Sequence, residues 1–424
     1  MMQSGRSTPA NGNEQSGPRA VILTDAHPEE TPHSEMLAWA LEQCGWDVTL
    51  VSPSGNRGVA RATLGGHWKC REPARGTLNR WTGTLKELLL ARFGSYDVVC
   101  IHSVGLAYRA APFLLGPLRC KKLVYFNPDY CDPIRYPWRS RIEGLLARRA
   151  DLHLNHEYHR GYIAAAQHRM KCPVVVVPPS LPKCWPIAPR DEQLRADLAG
   201  RSGKSAFILR LHGGFSPLRK TSELLAALQL LPKEVRLVMT RPAEDNHRDL
   251  ALLKKNELQE RVVLLPAMRY NEMLRYSVNT DAGVLLYANN DLGNFFQSPG
   301  RLTEYLACGL PVLSSAFTGL ENLVMKHDIG VCVDAERPER IADGVARLWE
   351  RREKGELGSN DVREKFEREF AYENWLETVA QSFDRLIESD GERRGKQAFG
   401  VGEPPFNDVN EQSQDRAAQR RKSD

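Results

Sequence analysis

Arg301 and Glu304 stand three residues apart in the stretch Ser298-Pro299-Gly300-Arg301-Leu302-Thr303-Glu304-Tyr305-Leu306-Ala307-Cys308-Gly309-Leu310-Pro311. The pattern predicts a loop broken at Pro299-Gly300, a short helix from Arg301 to Cys308, and a stop at Gly309 before a buried strand, Pro311-Val312-Leu313. A loop feeding a helix leaves backbone N–H groups and a positive dipole end free, and so offers an anion site. An arginine in the first turn opposes that dipole, which makes sense if an anion is there to meet it. Glu304, one turn later on the same face, is an acceptor for sugar hydroxyls. A phosphate cradle with a carboxylate beside it suits a nucleoside diphosphate.

A second constellation, His212-Gly213-Gly214-Phe215-Ser216-Pro217-Leu218-Arg219-Lys220, follows a predicted strand ending at Leu209. Glycines let the backbone approach a phosphate with no Cβ in the way. Arg219 or Lys220 can offset diphosphate charge, and Arg has the better fork geometry. The chain contains no Asp-x-Asp pair, so a metal-chelated diphosphate has no sequence support.

These residues need a frame. Short apolar runs recur: Val21–Leu23, Val48–Val51, Val98–Ile101, Leu123–Phe126, Leu152–Leu154 and Val174–Val177. A second series follows at Ala206–Leu209, Val235–Met239, Val262–Leu265, Ala282–Leu286, Val312-Leu313 and Val331–Val333. Helical patterns separate them, which predicts parallel sheets covered on both faces. Pro178-Pro179-Ser180-Leu181-Pro182 interrupts the alternation and reads as a linker. The expected fold class is α/β, with two doubly wound Rossmann-like domains, 19–180 and 181–372, facing each other across a cleft. A helix over 373–388 follows. Residues 1–18 and 389–424 are polar and are expected to be disordered tails.

The 424 residues are 42% hydrophobic and carry a net charge of +5, with no dense basic block, which disfavours nucleic-acid binding. Weak, peripheral attraction to an anionic membrane surface stays open. Nine scattered cysteines, without metal spacing, fit reduced thiols in the cytoplasm. No leader or apolar span is read.

Ser298-Pro299, Arg301-Leu302, Glu304-Tyr305, Ala307, Gly309 and Pro311-Val312, followed by Ser314-Ser315 and Gly319-Leu320-Glu321, resemble the donor-site signature of GT-B glycosyltransferases, close to the GT4 family. The resemblance implies a retaining, metal-independent hexosyl transfer from a nucleoside diphosphate sugar to a hydroxyl acceptor, whether glycan, lipid-linked or small molecule. It implies no resident cofactor. Gly213, Gly214, Arg219, Ser298 and Arg301 would hold the diphosphate, and Glu304 the ribose. Met268 and Arg269, in Pro266–Tyr270, resemble the base-reading segment, though a plain strand-to-helix loop reads as well. The 373–388 segment resembles the helix that crosses back to the first domain.

The chain also departs from the family. Phe296 stands where an acidic residue often lies, eight positions before Glu304. The glycine pair often found after the first strand is absent from Thr24-Asp25-Ala26-His27-Pro28. His27 and His33 are there instead, as acceptor contacts or simply solvated. His102, Asn127 and Asp129 end two strands that resemble those at the reacting centre. Each is a candidate to bond acceptor or donor sugar, or merely to close its strand. Two alternatives stay open, an epimerase of the same fold and a non-catalytic nucleotide-sugar-binding partner.

Overall fold

The computed structural model describes residues 17–27, 32–53, 57–72, 80–93, 96–114, 120–240, 253–254 and 257–392. Of the expected tails 1–18 and 389–424, residues 1–16 and 393–424 lie outside them, whereas 389–392 continue a helix rather than begin a tail. Two sheets organise the chain, and every strand pair in both is parallel.

The first sheet contains β1 (Arg19–Thr24), β2 (Asp47–Val51), β3 (Lys69–Arg71), β4 (Val98–His102), β5 (Lys122–Asn127), β6 (Leu152–Asn155) and β7 (Val174–Val176). Its spatial order is β3-β2-β1-β4-β5-β6-β7. The second contains β8 (Phe207–Leu211), β9 (Val235–Thr240), β10 (Val262–Leu265), β11 (Ala282–Leu285), β12 (Val312–Ser315) and β13 (Gly330–Val333), ordered β10-β9-β8-β11-β12-β13. Each order reverses once, between β1 and β4 and between β8 and β11. A crevice opens beyond the carboxyl ends of the strands at such a reversal, and ligands bind there. The two-domain α/β expectation holds.

Of the strands that flank the reversals, β4, β8 and β11 are buried along their length, and β1 is buried after Arg19, as a doubly covered sheet requires. Leu209, Leu211, Val235, Leu237, Val284 and Leu313 anchor one core of the second domain. Val21, Leu23, Val99, Ile101 and Tyr125 anchor that of the first. Lys69–Arg71 went unread in the sequence. It is an edge strand held by backbone pairing to β2, with no apolar run to betray it.

The segment expected as one helix from 373 begins with a 3-10 turn, Tyr372–Trp375, and continues as the helix Leu376–Glu392. It returns to the first domain, where Tyr372 packs edge-on against Trp39 and Phe383 against Trp46, with ring centroids 6.1 and 5.5 Å apart. By packing, the chain divides after Leu386, so both sheets lie in one unit.

Candidate functional site

The reversal in the second sheet puts His212-Gly213-Gly214 directly after β8. Gly213 has φ 128, a region that favours glycine. The loop is tied to the predicted Arg301 helix, which spans Gly300–Ala307. The His212 backbone N–H donates to the Tyr305 hydroxyl at 2.8 Å. The His212 Nδ1 lies 3.0 Å from Glu304 Oε2, and its Nε2 lies 2.7 Å from Ser277 Oγ. The Tyr270 hydroxyl donates to Glu304 Oε1 at 2.9 Å.

Burial holds His212 down to about 4, with Arg210 pressing the same way and the Glu304 hydrogen bond opposing it. The imidazole is therefore neutral near pH 7, donating Nδ1–H to Glu304 and accepting at Nε2. Burial resists ionisation of Glu304, but the hydrogen bonds from His212 and Tyr270 outweigh it and keep its pKa below the ordinary value. Glu304 is thus a charged, buried carboxylate with both oxygens engaged inside the protein.

Arg301 and Arg219 behave differently. Neither forms an ion pair with a carboxylate among the described residues. Arg301 Nη2 comes within 4.0 Å of where a Cβ on Gly213 would stand, and its buried Nη1 has no hydrogen-bond partner. An unmade bond of this kind costs on the order of 1–3 kcal/mol. The Arg219 guanidinium lies over the Tyr287 ring, 4.6 Å from its centroid. Burial, and then the Arg301 charge, press its pKa down, against the pull of Tyr287. The Gly300–Ala307 helix starts at Pro299, and no side chain caps it. Arg301 thus stands beside the glycine loop, with the Arg219 charge within its electrostatic reach.

Lys220, the other cation of this stretch, is nearly buried, 2.9 Å from Glu223 and paired also with Glu336, so its charge is already matched.

Ser298 is half-buried in the loop before Pro299. Met268 packs against a small core cluster of the second domain, while Arg269 is exposed just before the Tyr270–Val278 helix. Phe296 stacks on His159 of the first domain, with centroids 4.7 Å apart and planes 18° apart. An interdomain ring pair thus occupies the position where an acidic group is usual.

In the first domain His102 is buried at the end of β4, its Nδ1 2.8 Å from Thr24 Oγ1 on β1, so the two strands of the reversal are joined there. Burial, reinforced by His33, holds it at about 4 against the pull of Asp25. Asn127 is buried too. Its amide donates to Glu143 and its carbonyl oxygen accepts the Asp129 N–H at 3.0 Å. Asp129 itself is exposed, 4.0 Å from Arg160.

His33 is the residue the sequence undervalued. It opens the helix His33–Gln43 rather than lying solvated in a loop. Burial lowers its pKa, Glu304 and Asp129 pull it up, and Arg301 pushes it down, which places the ring among those three charges. Its Nδ1 is buried without a partner. The signal was its place just after Pro32, where a helix can begin. The Thr303 hydroxyl makes another interdomain link, lying 2.9 Å from the Pro179 carbonyl and 2.8 Å from that of Gly300.

Comparison with known proteins fits this geometry. Residues 207–351 match the family model described as glycosyl transferases group 1. The fold is GT-B. Sucrose-phosphate synthase from Thermosynechococcus elongatus superposes with a TM-score of 0.70 at 15% identity, over 88% of this chain and 100% of that one. Anabaena HepE in complex with UDP-glucose gives 0.68 at 15% identity, over 87% and 99%. WaaG, a glycosyltransferase involved in lipopolysaccharide biosynthesis, gives 0.62 at 15% identity, over 86% and 98%. No curated protein matches in sequence. In GT-B terms, β8 to β13 form the C-terminal domain.

Proposed function

We propose that this protein moves a sugar from a nucleoside diphosphate sugar to a hydroxyl acceptor with retention. The observation that carries this reading is Arg301 beside the Gly213 backbone with the Arg219 charge close to it, neither paired with a carboxylate among the described residues. With Ser298 and the uncapped helix start they hold the diphosphate and stabilise the negative charge that grows as it departs. Glu304, ionised and fixed by His212 and Tyr270, meets the ribose. Met268 and Arg269 flank the base. His102, Asn127 and Asp129 end the facing strands of the first domain, where the acceptor enters, and Asp129 presents the exposed carboxylate.

The likeness to HepE, solved with UDP-glucose, makes UDP-sugars the first donors to try. Calorimetric titration with UDP and GDP, then donor hydrolysis and transfer assays with and without EDTA, test the proposal. Activity that survives EDTA supports it. Absence of nucleotide binding, or activity abolished by EDTA and restored by manganese, sinks it. Phe296 at the usual acidic position favours one other reading, a non-catalytic nucleotide-sugar-binding partner. Tight nucleotide binding without hydrolysis or transfer would select that one.

A further inference from the structure

The segment after β5 exposes what a folded chain normally hides. Ile134 is 91% exposed, Trp138 70% and Tyr136 40%. They cluster at the start of the helix Pro137–Ala147, whose opposite face buries Ser140, Glu143, Gly144, Leu146 and Ala147. Arginines alternate with the apolar residues. The Arg135 guanidinium lies 5.3 Å from the centroid of the Tyr136 ring, Arg139 lies 5.5 Å from the same ring, and Arg141 lies 5.2 Å from that of Trp138.

Among the described residues no carboxylate pairs with these cations. Glu143 is buried and faces Tyr125 and Asn127. Asp132 accepts the backbone N–H groups of Ile134 and Arg135. No ion pair of Arg135, Arg139 or Arg141 occurs among the described residues.

We propose that this patch docks the protein on an anionic lipid surface. Apolar and aromatic tips interleaved with arginines suit the bilayer interface. There the rings enter the headgroup boundary, and the guanidinium groups stay at phosphate depth. The net charge of +5 is too small to hold a protein on a membrane by itself, so a local patch is needed. The patch also borders the cleft. Tyr130, four residues before Ile134, approaches Gly293 of the other domain, where a Cβ would stand 3.3 Å from the Tyr130 Cβ. A membrane-borne hydroxyl would therefore arrive beside the site. That last point rests on the transferase reading, whereas the docking does not.

The test is co-sedimentation of the full chain with phosphatidylcholine vesicles, with and without phosphatidylglycerol. Wild type should bind only the anionic vesicles, and binding should weaken as salt rises. Changing Arg135, Arg139 and Arg141 to Ala should weaken binding by about fivefold for each arginine removed. Ile134→Ser with Trp138→Ser should also release the protein, whereas Leu230→Ser, an exposed leucine of the second domain, should not. Unchanged melting curves and UDP affinity in the patch variants would show that the fold and the donor site persist. Three outcomes overturn the proposal. The first is wild type failing to bind anionic vesicles. The second is both patch variants binding as wild type does, which would place the contact elsewhere. The third is heparin bound through the patch with no vesicle binding, which would make it a polyanion site. UDP binding lost while vesicle binding persists would instead sink the transferase reading alone.

Discussion

His33 lies against Gly300: a Cβ on that glycine would stand 2.4 Å from the imidazole Cε1 and 2.8 Å from Nε2. The contact joins the first helix of one domain to the start of the Arg301 helix in the other. Gly300→Ala should therefore force one of them to shift, costing roughly 1–3 kcal/mol of stability and weakening nucleotide binding. In a His33→Ala background the same change should cost much less. A double-mutant cycle on melting and UDP affinity reads this coupling, and additive losses would show that the two residues do not meet in solution.

Arg219 and Arg301 should matter for binding and little for folding. Each Arg→Ala change should weaken UDP or GDP binding by roughly 1.5–3 kcal/mol, the scale of a charged hydrogen bond. Arg301→Ala should leave the melting temperature unchanged or higher, because a buried nitrogen without a partner and a neighbouring like charge both go. Unaltered affinity in both variants would remove the diphosphate site.

Glu304→Gln keeps the shape and removes the charge. Affinity for a ribonucleoside diphosphate should fall by about 1–2 kcal/mol, and less for the 2′-deoxy form, where one hydroxyl is already missing. The comparison of ribo and deoxy ligands, in wild type and variant, isolates the ribose contact. Because His212 and Tyr270 also lean on this carboxylate, the variant should melt lower without ligand. Losses equal for both ligands would assign Glu304 to holding the glycine loop alone.

Acid should destabilise the protein in a defined window. His102, His153 and His212 are each held at about 4 by burial, from an ordinary value of 6.5. Between those values the unfolded chain binds protons that the native chain refuses, so stability falls as pH drops from about 6.5 toward 4. Denaturant melts across this range should show the slope. His153→Gln, away from the candidate site, should reduce the slope by the share of one histidine without changing nucleotide affinity. A flat stability profile would contradict the buried neutral histidines.

Much of this architecture was legible because parallel strands buried on both faces must be short, apolar and nearly continuous. Val98–His102 and Phe207–Leu211 announce themselves that way. The candidate site was legible where backbone demands glycine or proline, at Gly213, Pro299 and Gly300. Other features were not, and each for a physical reason. Lys69–Arg71 is a strand through hydrogen bonds to β2, which leave no side-chain pattern. The partners of Glu304 come from positions 212 and 270, far apart in the chain, so their convergence is purely tertiary. The carboxylates that claim Lys220 include Glu336, more than a hundred residues away. His33 looked like a loop histidine because its burial comes from the other domain.

Thr303 stands between Arg301 and Glu304 and reaches the carbonyl of Pro179, in the connection between the two sheets. The segment connecting the two sheets is thus bonded to the helix that carries Arg301 and Glu304. Any rotation of one half against the other about that segment either breaks the bond or drags both side chains with it. Ligand occupancy and hinge angle then share one coordinate. The free energy by which a nucleotide favours closure is the same by which closure favours the nucleotide.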